Sequence, residues 1–214
     1  MQKSNFSDWT LDKIDEAFGT IQMNNSNALT HWLSYKYEQN EHEQKNLLHF
    51  QSKLLLGGDE WNEVELENKF ISPIFMFADF DNDKFAYFLE REMKADIGDY
   101  ELVGRVDGMI ATGFRNPKKP FFCLSEYKKQ TDPGGDPKGQ CLIAMMAAQA
   151  KNENDNPIYG CYVIGKFWRF ILLEGKNYSL SKFYKADDED IFDIFRILKG
   201  LKANIEALVN RMEN

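Results

Sequence analysis

Two residues of opposite charge stand two positions apart in an otherwise apolar segment, PFFCLSEYK, at residues 120–128. In a β-strand, residues i and i+2 share a face, so Glu126 and Lys128 would point one way and Tyr127 the other. Burying a carboxylate or an ammonium costs free energy unless the group pairs with a counter-charge or an ion. The pair is therefore either a structural ion pair or half of a metal site.

A further acid, Asp107, lies inside the apolar segment GRVDGMIA, 19 positions before Glu126. Aspartate is depleted in strands and avoids burial. The separation fits two neighbouring strands, which would bring Asp107, Glu126 and Lys128 to one edge of a sheet. Two close carboxylates repel each other, and a hard divalent cation relieves that repulsion. Mg²⁺ would neutralise charge on a phosphate while the lysine holds a water, which is a chemistry for phosphodiester hydrolysis.

The elements that position these residues follow from the hydrophobic pattern. Alternating apolar residues predict strands at residues 85–97, 100–114, 120–128 and, in two or three pieces, 158–184. The helical period predicts helices at residues 138–150 and 187–212, the first of them capped by Asp136–Pro137. This order of elements predicts an α/β fold with a central mixed β-sheet flanked by helices.

The segment WNEVELENKFISPIF, at residues 61–75, is predicted to be a helix that carries acids on its apolar side. At about 100° per residue, that side consists of Leu66, Phe70, Ile71 and Ile74. Glu67 falls near its middle and Glu63 at its edge, which is unusual for glutamate. These acids either lie at the exposed, positive N-terminal end of the helix or belong to the predicted metal site.

The order of these features resembles that of the PD-(D/E)XK nuclease superfamily: an acidic first helix, a strand with an aspartate, a strand with Glu-Tyr-Lys, and a helix with Gln140. The similarity is in particular to the N-terminal nuclease domains of type I restriction enzyme motor subunits and related bacterial proteins. It covers residue 61 to about residue 183 and implies a restriction-endonuclease-like core. Val106 departs from the motif, since it stands where the family name has proline, and the chain has no Gly-Lys-Ser/Thr phosphate loop.

The resemblance also implies a role for each matching residue. Asp107 and Glu126 would bind Mg²⁺ or Mn²⁺, with the backbone carbonyl of Tyr127 as a further ligand. Lys128 would position the attacking water. Supporting roles at the site would fall to Gln140 and to an acid of the first helix, for which Glu63 is the better match and Glu67 the second.

Two further predictions concern organisation. Residues 1–58 are predicted to form a helical hairpin packed on a core of residues 59–214. The last helix has an apolar stripe that either covers the sheet or forms a homodimer contact. The stripe consists of Ile191, Ile194, Phe195, Leu198, Leu201, Ile205 and Leu208.

Composition limits the function classes. Acidic residues outnumber basic ones by 34 to 26, for a net charge of −8, which disfavours binding of nucleic acid mainly through phosphates. The three cysteines have no Cys-x-x-Cys spacing, as expected for reduced thiols in a cytoplasmic protein. We expect no membrane span, since no apolar stretch approaches about 18 residues, and no signal peptide.

Two functions remain open on the sequence. The first is a metal-dependent nuclease that acts on DNA more readily than on RNA, in restriction, defence or repair, with or without a partner protein supplied in trans. The second is a binding or regulatory protein on the same fold with little or no hydrolysis. The joint presence of Asp107, Glu126, Lys128 and Gln140 favours the nuclease.

Overall fold

A computed structural model describes residues 1–130 and 134–212, and in these residues one mixed sheet of nine strands is flanked by helices. The strands are β1 (Gln2–Asn5), β2 (Ile21–Met23), β3 (Phe85–Ile97), β4 (Tyr100–Thr112), β5 (Lys118–Lys128), β6 (Ile158–Ile164), β7 (Phe167–Glu174), β8 (Asn177–Leu180) and β9 (Tyr184–Lys185). The helices are α1 (Leu11–Phe18), α2 (Asn27–Leu33), α3 (Glu41–Gly57), α4 (Glu63–Leu66), α5 (Ser72–Ala78), α6 (Pro137–Asn152) and α7 (Asp190–Met212). A π-helical stretch, Glu67–Ile71, joins α4 to α5.

The strand order is β1-β4-β5-β6-β7-β8-β2, with β3 also paired to β4 and β9 to β7. β4 is antiparallel to β3 and β5, whereas β5 and β6 are parallel and are connected through α6. The predicted α/β class, with a central mixed sheet and flanking helices, is confirmed. The more specific restriction-endonuclease-like core stays a prediction.

Helices cover both faces of the sheet. One hydrophobic cluster joins the strands to α2, α3, α4, α5 and α7, and the other joins them to α1 and α6. Every residue of the predicted α7 stripe is at most 8% exposed, so the stripe packs inside the chain. This leaves the stripe no apolar surface for a second subunit and corrects the expectation of a homodimer contact there. In the described residues, no helix has the length and apolar character needed to cross a membrane.

The N-terminal segment differs from the predicted helical hairpin. It has three helices, but it also supplies β1, parallel to β4, and β2, parallel to β8. Its side chains enter both clusters, Trp9 on one face of the sheet and Trp32 on the other. Both strands are short and mostly exposed, so they have no apolar alternation that could predict them, and their pairing depends on sheet edges formed later in the chain.

Candidate active site

The predicted site residues lie where β4 and β5 separate. The last paired positions between these strands are Gly108 and Ser125. Beyond them β5 continues to pair with β6 as far as Lys128, while β4 pairs with β1 only at Tyr100–Val103. Because β3 follows the whole of the other edge of β4, β1 and β5 share one edge and leave residues 104–107 between them. The two strands thus diverge into an opening.

Asp107 lies at this opening and bridges it with its side chain. Its Oδ2 accepts a hydrogen bond from the backbone N–H of Tyr127 at 2.5 Å, which ties the end of β5 to β4. Burial raises the pKa of the Asp107 carboxyl to about 6, although this hydrogen bond and Lys128 oppose the rise. A half-buried aspartate is therefore held in place by a backbone donor and lacks full charge compensation.

Glu126 and Lys128 share a face, as predicted, and form an ion pair. The Nζ of Lys128 lies 2.8 Å from Oε1 of Glu126 and 3.6 Å from Oε1 of Glu63. Only 9% of the Glu126 side chain and 14% of the Lys128 side chain are exposed. Burial, and then the charge of Asp107, raise the pKa of Glu126 to about 7 even though Lys128 opposes the rise. One ammonium is shared by several acids.

Lys128 itself remains a cation. Burial lowers its pKa, but the charge of Glu126 and its hydrogen bond outweigh burial, so the pKa lies above the ordinary lysine value. A lysine of this kind donates hydrogen bonds at neutral pH and does not act as a base.

Both acids predicted on the first helix face the site. The residues predicted for its apolar side are at most 1% exposed, which confirms the helical face. Glu63 is the first residue of α4 and contacts Lys128. Glu67 begins the π-helical stretch, and burial followed by the charges of Glu90 and Asp107 raises its pKa to about 7.

Glu90 belongs to the same cluster and was not predicted. It lies on β3 across from Asp107, between the pairs Leu89–Gly108 and Arg91–Val106, and has a left-handed φ of 52°. Such a backbone is uncommon for residues other than glycine, and strained residues concentrate at functional sites. The charge of Glu90 contributes to the raised pKa values of Asp107 and Glu67.

A sequence signal for this irregularity exists. On the sheet face that packs against α6, the apolar residues of β3 stand at even spacing up to Phe88 and again from Met93. Their separation of five positions is odd, whereas side chains on one face of a regular strand are an even number apart. The change of parity predicts an irregular backbone between them, where Glu90 lies, although no residue is inserted, since the pairing with β4 keeps one register on both sides.

Gln140 is buried in the first turn of α6. A Cβ at Gly135 would lie 2.8 Å from its Nε2. The predicted cap is confirmed, since Asp136 Oδ1 accepts from the backbone N–H of Lys138 at 3.1 Å. Asp136 Oδ2 also accepts from the N–H of Leu11 at 3.3 Å, so one carboxylate joins the starts of α6 and α1. The supporting role of Gln140 stays a prediction.

The donor set fits Mg²⁺ or Mn²⁺. Within residues 1–130 and 134–212, no group of three or more His, Cys, Asp or Glu side chains is arranged to hold a metal. Mg²⁺ does not need such a group, because it keeps several waters and binds through one or two carboxylates. Asp107 and Glu126 are hard oxygen donors of this kind, and their pKa values are raised first by burial and then by neighbouring acids, although Lys128 opposes the rise. The Tyr127 carbonyl stays a predicted further ligand.

Other metal or nucleophile chemistry has less support. The three histidines lie in the α2 and α3 helices, away from the acids, and the three cysteines are free and buried. The chain matches no protein-family model, and no curated protein matches its sequence. The function must therefore be inferred from the geometry of the acid–lysine cluster.

Proposed function

We propose that the protein is a Mg²⁺-dependent nuclease that hydrolyses phosphodiester bonds in DNA rather than RNA. The observation that carries the proposal is the opening between β4 and β5. It holds the half-buried Asp107 and the buried Glu126, with an ammonium 2.8 Å from the carboxylate of Glu126. Perturbed acids gathered at one position are typical of functional sites, where charge is held ready for a ligand.

Each group has a distinct role in this proposal. Asp107 and Glu126 hold the ion, and Asp107 is oriented by the N–H of Tyr127. The bound ion supplies neutralisation of charge on the phosphate. Lys128, a permanent donor at neutral pH, orients the attacking water beside Glu126. The carboxylate of Glu63, 3.6 Å from the same ammonium, is a second counter-charge for the lysine. The preference for DNA rests on the sequence resemblance.

The second candidate is a binding or regulatory protein without hydrolysis. It is favoured by the contacts of Lys128, whose ammonium already faces both Glu126 and Glu63, as in a closed structural ion-pair network. The net charge of −8 also opposes a broad phosphate-binding surface. In this alternative the acids bind no metal, and nucleic acid is not a substrate.

Calorimetric titration with Mg²⁺ and Mn²⁺, run beside cleavage of supercoiled plasmid DNA and of a matched RNA, tests the two candidates. The wild type should bind metal and cleave DNA, and Asp107→Asn should lose both the metal binding and the cleavage. Asp96→Asn removes an exposed aspartate from the same hairpin and serves as the matched control. Metal binding without cleavage of either nucleic acid would point to a missing partner protein in trans. Absence of metal binding would leave the regulatory candidate.

A further inference from the structure

The segment that follows β5 is linked to the turn that precedes α4 by the side chain of Gln130. Its Nε2 donates to Oδ1 of Asp59 at 2.6 Å. Asp59 lies in the 3₁₀ turn Gly58–Glu60, just before α4. The Oε1 of Gln130 accepts a hydrogen bond from the backbone N–H of Lys166 at 3.4 Å. Gln130 thus joins three segments that are distant in sequence.

The backbone around Gln130 is held as well. The N–H of Gly165 donates to the carbonyl of Lys128 at 2.9 Å, so the turn between β6 and β7 closes on the end of β5. Gly165 has a φ of +56°, and a Cβ at this position would collide with the Cβ of Gln130. Only glycine combines this conformation with the close approach.

The start of α4 matters because Glu63 is its first residue. Oε1 of Glu63 lies 3.6 Å from the Nζ of Lys128, across two separate elements. The Glu63 side chain is 47% exposed, so packing restrains it little. Its distance from Lys128 therefore depends on where α4 begins, and the hydrogen bond between Asp59 and Gln130 connects the turn before α4 to the segment after β5.

We propose that Gln130 is a positioning residue that sets the separation between Glu63 and Lys128 by holding Asp59. The effect on catalysis rests on the proposed nuclease function, whereas the positioning itself does not. Without the hydrogen bond between Gln130 and Asp59, the start of α4 moves away from the end of β5. Lys128 then loses its contact with Glu63 and keeps its ion pair with Glu126. We then expect kcat to fall about tenfold, the value of one hydrogen bond to a charged group, with KM unchanged.

Amide hydrogen exchange over residues 58–66 of the full chain tests the positioning. Gln130→Glu places a carboxylate against Asp59, and exchange in this segment should accelerate about tenfold. Adding Asp59→Asn supplies an amide that can donate to the introduced carboxylate, and exchange should return to the wild-type rate. Asp59→Asn alone keeps an acceptor for Gln130 and should change little. Gln44→Glu, at an exposed glutamine that bonds a backbone carbonyl, is the matched control.

Acceleration in Gln130→Glu that the second substitution reverses supports the proposal. An unchanged rate, or an acceleration that is not reversed, overturns it. Plasmid cleavage by the same proteins separates this inference from the nuclease. If even the wild type neither binds metal nor cleaves while exchange behaves as expected, the nuclease proposal fails and the positioning stands. If the wild type cleaves and Gln130→Glu keeps its kcat, the catalytic consequence is wrong.

Discussion

Replacing Glu126 by glutamine should make the protein more stable at pH 8 while abolishing its activity. Only 9% of the Glu126 side chain is exposed, and burial, followed by the charge of Asp107, raises the pKa of its carboxyl from 4.5 to about 7. At pH 8 the folded protein therefore contains an ionised group that its surroundings disfavour. Glutamine has nearly the same shape and carries no charge, so the variant avoids this cost.

The size and sign of the effect follow from the two pKa values. In the unfolded chain Glu126 ionises around pH 4.5, and in the folded protein around pH 7. Between these values the folded state binds a proton that the unfolded state has lost, so its free energy of unfolding falls as the pH rises. Each pKa unit corresponds to about 1.4 kcal/mol. The ionised Glu126 therefore lowers the free energy of unfolding by about 3 kcal/mol above pH 7 and has no such effect below pH 4.

Urea unfolding of metal-free protein, followed by tryptophan fluorescence at pH 4 and pH 8, measures the difference. The free energy of unfolding of Glu126→Gln should exceed that of the wild type by about 3 kcal/mol at pH 8 and equal it at pH 4. Glu41→Gln removes an acid whose side chain is 91% exposed and should stay within about 0.5 kcal/mol at both pH values. A structural ion pair predicts the opposite sign, because removing one partner leaves Lys128 uncompensated. Destabilisation at pH 8 would therefore refute the reasoning.

Further predictions concern the metal, the lysine and the packing of α6. In urea titrations, Mg²⁺ at 100 times its Kd should raise the free energy of unfolding of the wild type by about 2.7 kcal/mol and leave that of Asp107→Asn unchanged. An equal increase in both proteins would show that the ion binds elsewhere. Lys128→Ala should reduce plasmid cleavage at least about 100-fold with an unchanged circular dichroism spectrum, and surviving cleavage would exclude this lysine from the chemistry. Gly139→Ala should cost about 1–3 kcal/mol in the same unfolding assay, because its Cβ would collide with the backbone carbonyl of Trp9, and an unshifted midpoint would contradict that packing.

Local periodicity in the sequence was enough to predict much of what surrounds the candidate site. β3 ends at Ile97 and β4 begins at Tyr100, and α6 begins at Pro137 after its Asp136 cap, in agreement with the predicted strand bounds and cap. Glu126 and Lys128 share a face because side-chain direction in a strand alternates every residue. The apolar side of the first helix follows from its rotation per residue in the same way. These features depend on residues close together in the chain.

The composition of the cluster depended on contacts between distant segments. The sequence by itself placed Asp107 and Glu126 on neighbouring strands, but only the tertiary structure decided that β4 and β5 diverge there and that Glu90 and Glu67 face the same opening. It also decided that the α7 stripe is buried inside the chain. The two N-terminal strands likewise formed only against sheet edges built from residues about 100 and 155 positions later. Strand divergence, edge pairing and shared burial arise when the sheet assembles, so no local pattern encodes them.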